Sequence, residues 1–486
     1  MIQKKQMRKI YIAGAFLLAA AFTSCSKSFL EKSPTDGVVL SESITDDVSM
    51  YAAVNGMYND LLSYRVYGRS IPVRGDLMSD NAFMATSNSG RYLNWNKYQI
   101  ISTDSYVEEV WLYCYAAIKD ANNIINATIT DDTNTKQLRG EAYAIRALMH
   151  FELVRNFAAP YAADTSAAGV PIVLQYDQFA KPARNSIGQV YTQILKDLNK
   201  ADSLISYKLG NTMTFSTGTT RQLNTSEVSK YAIYALMARV YQFMGDWNNA
   251  KTQALKVVSS SSFSLASSTA YSDYWATLTT RTDGLETLFE IAADDNANNG
   301  SNSISGIYLT SALGGSYGDV LVNPAVYNLF STTDARRSLM KTASRTGQSN
   351  TTYFSLKYSS YNADYKVIRY SDVLLILAEA YYNGSDITNA NLYLNKVAQQ
   401  RDPSAKAYAN SGTQVLEDII NERRKELAFE GNRFYDLYRL QRTFTKPISE
   451  TAADSIVVKP STTNLLFPIP KAETDINTNM SQNTGY

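Results

Sequence analysis

Cysteine, histidine and charge of one sign are all scarce in this chain, and each scarcity removes a class of chemistry. The two cysteines stand at positions 25 and 114. Once Cys25 is consumed by modification, Cys114 has no partner, so the body must be held by side-chain packing and not by disulfides. The single histidine, His150, follows Met149 in a helical pattern with no second His and no Cys beside it. It cannot complete a metal set and reads as a satisfied, partly buried side chain. Lys and Arg total 46 against 45 Asp and Glu. That balance supplies no positive field for a phosphate backbone and argues against nucleic acid as a partner. Neither a P-loop nor a dinucleotide fingerprint is present, and no cofactor is expected.

Hydrolytic chemistry fares little better. Gly314-Gly315-Ser316-Tyr317-Gly318 matches a nucleophile elbow, but that motif needs a histidine after the serine, and His150 lies far upstream. Asp294, Asn296 and Asn298 have calcium-loop spacing, yet glycine comes one residue late at 300 and Ser305 replaces the bidentate Glu. Acidic pairs such as Glu108-Glu109, Asp131-Asp132 and Asp294-Asp295 read as solvated surface, because adjacent helical residues diverge. No catalytic residue and no metal ligand are assigned.

What is present begins at the N-terminus. Lys4, Lys5, Arg8 and Lys9 precede an apolar run over 10–22, and small residues then lead to Cys25. This is the order of a secretory signal, and the run is shorter than the roughly 20 residues of a membrane span. Phe22-Thr23-Ser24-Cys25 is similar to a lipobox, in which the cysteine thiol is acylated before cleavage. The expected division is a signal peptide at 1–24, a lipidated tether at 25–40 and one body at 41–486. Several acyl chains, at about 0.8 kcal/mol per buried methylene, anchor a protein stably.

The body reads as mostly helical. Trp111, Tyr115, Ile118 and Ile125 recur at helical spacing, as do Leu138, Ala142, Ile145, Met149 and Leu153. Ser186 is a plausible N-cap for a further helix reaching about Ile205. Two later segments, 231–258 and 370–397, resemble each other: Ala238 is followed by Ala250 and Ala378 by Ala390 at the same distance, with Gly245-Asp246 and Gly384-Ser385 at the turns. Matched small residues let paired helices approach closely, as in tetratricopeptide-like hairpins. Between them, 259–362 is rich in Ser, Thr, Asn and Gly and reads as an irregular, loop-rich insertion, too polar for a core layer and long enough to carry function.

Segments 367–382 and 419–440, the latter containing Arg423, Arg424, Glu426, Glu430 and Arg433, resemble the SusD/RagB family of nutrient-binding lipoproteins. Similarity continues through 29–32, Trp111 with 120–122, 140–147, 245–247, 466–470 and 482–486, essentially the whole mature chain. The resemblance implies a SusD-like scaffold of tetratricopeptide-like helical pairs, lipid-anchored at the outer membrane and facing the cell surface. It also implies a SusC-like TonB-dependent transporter as partner and an oligomeric nutrient, most often a glycan, as ligand. No reaction is implied. Capture of peptide, as by a RagB-like binder, and an unrecognised exported hydrolase are the alternatives. Arg423, Glu426, Glu430 and Arg433 read as fold-holding, with Gly431 ending their helix in a left-handed cap.

The family's starch-binding members carry a stacking Trp and a nearby Arg in the stretch comparable to 86–97. Here Tyr92 and Trp95 interleave with polar residues and no helical period, so Arg91, Tyr92, Asn94 and Trp95 are the first ligand candidates. Tyr308 and Tyr317, in the irregular region, are the second. With 35 Tyr beside 17 Phe and 4 Trp, amphipathic rings are plentiful. If Trp95 stacks on a sugar, Trp95→Ala abolishes binding while the melting temperature stays nearly unchanged. Trp111, Tyr241, Phe243, Tyr274 and Trp275 are assigned to the interior, and Trp247, a turn residue in a hairpin, to a structural role.

Overall fold

The computed structural model describes residues 43–486 apart from 346, 349, 350 and 452. The signal peptide, Cys25 and the tether lie outside the described residues. From the N-terminal side run α1 (Asp47–Leu62), α2 (Ser70–Leu77), β1 (Ala82–Met84), the single turn α3 (Leu93–Asn96), α4 (Ser105–Asn126), α5 (Thr133–Phe157) and α6 (Ile187–Leu204). A short hairpin of β2 (Thr212–Thr214) and β3 (Thr220–Gln222) leads into α7 (Lys230–Met244) and α8 (Trp247–Val258). The middle of the chain holds α9 (Tyr271–Ala276), β4 (Thr287–Ile291), α10 (Ile304–Tyr308), β5 (Val320–Val322), α11 (Pro324–Tyr327), β6 (Met340–Ser344), β7 (Thr351–Ser355) and β8 (Tyr365–Arg369). Then follow α12 (Tyr370–Asn383), α13 (Ile387–Arg401), α14 (Gln414–Glu426), α15 (Arg433–Arg439), β9 (Phe444–Pro447), β10 (Ser455–Val458) and α16 (Lys471–Ile476). The strands form antiparallel pairs only: β1 with β5, β2 with β3, β4 with β8, β6 with β7, and β9 with β10. Among the described residues no helix is long and apolar enough to cross a membrane.

Local chemistry sets the helix ends. Ser186 does cap α6, accepting from the Gln189 amide at 3.2 Å while Gln189 Oε1 accepts from the Ser186 amide at 2.9 Å. The two similar segments form the hairpins α7/α8 and α12/α13, and their second helices start alike: Asp246 accepts from the Asn249 amide at 3.1 Å and Asp386 from the Asn389 amide at 3.0 Å. Ala238, Ala250, Ala378 and Ala390 are all fully buried, as close helix approach requires. Consecutive helices α4 to α8 pack side by side, and α8 then packs on α12, which joins the hairpins across more than a hundred residues of sequence.

The 259–362 region is irregular, but the expectation that it is too polar for a core layer is overturned. All five residues of β4 are buried, as are Tyr271, Tyr274, Trp275, Ile307 and Val320. Its polar side chains go inside because they find partners there. Glu286 and Glu290 are fully buried, the first ion-paired to Arg369 and Arg401 at 2.8 and 2.5 Å, the second to Lys366 at 2.5 Å. Composition registers polarity; it does not register pairing.

Those pairs belong to a buried ionic network that the α14 block supplies. Glu426 accepts from Arg336 at 3.2 Å, Arg369 at 3.0 Å and Arg401 at 3.0 Å, and its carbonyl accepts from Lys357 Nζ at 2.7 Å. Burial alone would raise the Glu426 carboxyl, but the guanidiniums of Arg401, Arg369 and Arg336 outweigh it and hold it well below the usual carboxylate range. Arg423 bridges Asp372 and Asp436, Glu430 binds Arg369 and Lys357, and Arg433 pairs with Asp80. The fold-holding reading of all four residues agrees with this geometry. The Gly431 reading does not. α14 ends at Glu426 with Leu427 as its C-cap, and Gly431, at φ +72°, lies beyond it, pressed against Pro72 of α2.

His150 is fully buried in α5, with Nδ1 2.9 Å from the Arg146 carbonyl and Nε2 accepting from the Val173 amide at 3.3 Å. Burial pushes its pKa down to about 4 from 6.5, against the pull of the Arg146 carbonyl. The folded value lies below the unfolded one, so between pH 6.5 and about 4 the unfolded chain takes up a proton that the folded chain refuses. Stability is therefore expected to fall by about 3 kcal/mol across that window through this group. Denaturant titrations of wild type and His150→Gln at stepped pH check it, since the difference between their slopes isolates the ring. A C2 proton signal that titrates near pH 6.5 in the folded protein would contradict the placement.

Candidate functional site

The first candidate stretch is built on β1 and α3. β1 pairs with β5 through Ala82, Phe83 and Met84, and the backbone then turns outward at residues 86–91, with Gly90 at φ +84° and Tyr92 at φ +57°. α3 is fastened from beneath. Lys446 Nζ donates to Asn96 Oδ1 at 2.7 Å and to the Ala82 carbonyl at 3.0 Å. Burial pushes that amine down to about 7.

This geometry separates the predicted ligand residues into two groups. Tyr92, Trp95 and Tyr308 are core residues, and their assignment to ligand stacking is corrected. The Trp95 ring lies 4.6 Å from Tyr92 and 4.7 Å from Phe467, centroid to centroid, with no exposed surface. The Tyr92 hydroxyl accepts from Arg69 Nε at 2.7 Å and meets Ser70 Oγ at 2.8 Å, and burial pushes its pKa up to about 12. Tyr308 donates to Asp76 Oδ2 at 3.3 Å beneath the Phe429 ring. The physical reason is distant chain: Phe467 and Tyr106 cover Trp95 and Tyr92 from outside the stretch. The Trp95→Ala expectation reverses accordingly. Deleting a buried indole is expected to destabilise by about 3–5 kcal/mol, read as a lowered denaturation midpoint, whereas an unchanged midpoint would put the ring back on the surface.

Arg91, Asn94 and Tyr317 remain at the surface, Asn94 exposed and the other two half-buried. Arg91 and Tyr317, 226 residues apart, meet: the guanidinium carbon sits 4.2 Å from the ring centroid and Nη2 donates to the hydroxyl at 3.2 Å. Beneath them Asp319 ties the loops together. It accepts from the Ser89 amide at 3.0 Å, from Ser89 Oγ at 2.5 Å and from Arg345 Nη2 at 2.7 Å. Arg345, at the end of β6, also donates to the Ser87 and Tyr317 carbonyls. Tyr361 Oη lies 2.5 Å from Ser316 Oγ. The serine of the elbow-like motif thus faces a tyrosine, and His150 is buried elsewhere in α5. Asp319, Arg345 and Tyr361 were not singled out from sequence, because no local spacing links them to residues 86–97.

Asp294 accepts from the amides of Asn296 and Ala297, both at 2.7 Å, which makes the calcium-like segment a turn. No group of three or more His, Cys, Asp or Glu suited to a metal occurs among the described residues.

The chain as a whole is similar to known proteins. Residues 336–486 match the model of the SusD family, and residues 28–242 match a second model, described as starch-binding associating with outer membrane. SusD-like protein P2 of Formosa agariphila is 26% identical, over 98% of this chain and 100% of that protein. Among solved structures, a candidate sugar-binding protein from Bacteroides vulgatus superimposes with a TM-score of 0.79 at 27% identity, covering 91% of this chain and 99% of the other. A SusD superfamily protein from Bacteroides thetaiotaomicron gives a TM-score of 0.79 at 24% identity over 90% and 100%. The chain belongs to the SusD/RagB family.

Proposed function

We propose that this protein is a lipid-anchored outer-membrane component that captures an oligomeric glycan at the Arg91–Tyr317 surface and passes it to a SusC-like TonB-dependent transporter, with no catalytic step of its own. The observation that carries the reading is the Arg91–Tyr317 pair itself, a half-buried ring with a guanidinium against it on loops braced through Asp319. An aromatic face suits the apolar side of a sugar ring, and the guanidinium, Asn94 and the hydroxyls of Ser316 and Tyr361 suit its hydroxyl groups. Bracing lowers the ordering cost of capture. The descriptions of the second family model and of the Bacteroides vulgatus relative support a carbohydrate ligand, and the first also supports outer-membrane association. Cys25 is the anchor in this reading, and the hairpins α7/α8 and α12/α13 serve as a tetratricopeptide-like scaffold.

Isothermal titration of the full-length protein in detergent with maltoheptaose, cellohexaose, xylohexaose and mannohexaose tests the site. Arg91→Ala and Tyr317→Ala are each expected to weaken binding by about tenfold, the scale of losing one well-placed contact. Unaltered affinity in both variants removes this surface from the account.

A further inference from the structure

A cleft of about 360 Å³ opens between α1, the segment after β3 and the turn after β4. Its volume lies within the range of small-molecule sites. One wall is the α1 face bearing Asn55 and Asn59, four residues apart and therefore on the same side of the helix. Both are exposed, and neither side-chain amide has a hydrogen-bond partner among the described residues. The opposite wall is fixed. Arg221, 5% exposed, donates to Glu141 at 3.1 and 2.9 Å and lies 3.4 Å from Glu227. Tyr58, on α1 itself, donates to the same Glu141 at 2.9 Å and so joins the two walls. Asp294 stands at the rim, and Leu62, Ile291 and Ala293 supply carbon surface.

We infer that this cleft is a second glycan site, taking one neutral sugar ring independently of the Arg91–Tyr317 surface; the inference rests on the reading of the protein as a glycan binder. Each primary amide offers two donors and an acceptor, which matches hydroxyl groups that donate and accept in turn. The only cation in the lining is already neutralised by Glu141 and Glu227, and Asp294 adds negative charge, so phosphate and uronate ligands are disfavoured. The cleft is structurally tied to the first surface. Asn299, in the turn that walls it, donates to the Leu62 carbonyl at 2.7 Å, and Asn362, next to Tyr361, donates to Asp295 at 2.5 Å. A long glycan engaging both places gains affinity through effective concentration.

Titration of the full-length protein with the same four oligosaccharides separates the possibilities. Wild type is expected to bind at least one of them at two sites. Asn55→Ala/Asn59→Ala removes one site or weakens it by about tenfold or more, and Ala297→Trp, which fills the cleft from its exposed turn, does the same. Arg91→Ala/Tyr317→Ala removes the other site. Binding unchanged in both cleft variants but lost in Arg91→Ala/Tyr317→Ala overturns the second site and leaves the proposed function standing. Binding lost only in the cleft variants supports the cleft and overturns the Arg91–Tyr317 surface, and no binding of any probe overturns both.

Discussion

Glu426→Ala is expected to destabilise the protein by about 3–5 kcal/mol, the cost of leaving buried charges without their counter-ion. Three guanidiniums converge on this carboxylate, and Arg369 and Arg401 have no exposed surface through which to recover water. Glu286 and Glu430 would keep Arg369 partly compensated, but Arg401 would retain Glu286 alone. Urea denaturation followed by far-ultraviolet circular dichroism checks this, with Glu417→Ala, on the exposed side of α14, as the reference. A Glu426→Ala midpoint within error of wild type would mean that the network contributes nothing, since surface pairs are worth about 0–1 kcal/mol.

Gly75→Ala is expected to be comparably severe, for a steric reason. A Cβ at this position of α2 would stand 1.9 Å from the Gly431 carbonyl oxygen and 2.3 Å from its carbon, and both obstacles are backbone. Gly431 cannot retreat, because its amide donates to Asp76 at 2.9 Å and its Cα side abuts Pro72. Overpacking typically costs about 1–3 kcal/mol and more where nothing can yield, so a loss of about 3 kcal/mol or failure to fold is predicted. Gly56→Ala, in open space on α1, is the control and should stabilise by about 1 kcal/mol. Equal melting temperatures for the two variants would contradict the close approach of α2 to the segment before α15.

Legibility in the sequence followed how local the cause was. Helices α4, α5 and α6 announced themselves through apolar period and the Ser186 cap, and the two hairpins through matched alanines. α2 did not, because Arg74 and Asp76 look like surface residues until their partners are known. Arg74 donates to the Leu465 carbonyl at 2.9 Å, and Asp76 accepts from the Phe429 amide at 3.0 Å, partners 391 and 353 residues away. The same distance effect misled the ligand assignment. Tyr92 and Trp95 lack helical period, which suggested a surface platform, but Tyr106 and Phe467 bury them. Arg91 and Tyr317 were each named from sequence; that they touch was not readable from either segment.

Glycan capture at the Arg91–Tyr317 surface is read out by affinity electrophoresis. Full-length protein in detergent is run through native gels containing soluble starch, xylan, mannan or galactan, beside Tyr317→Ala. At least one polysaccharide is expected to slow the wild type, and Tyr317→Ala is expected to be slowed distinctly less in that gel while melting at the wild-type temperature. Wild-type mobility unchanged in every polysaccharide, with binding instead to a mixture of oligopeptides, would contradict glycan capture.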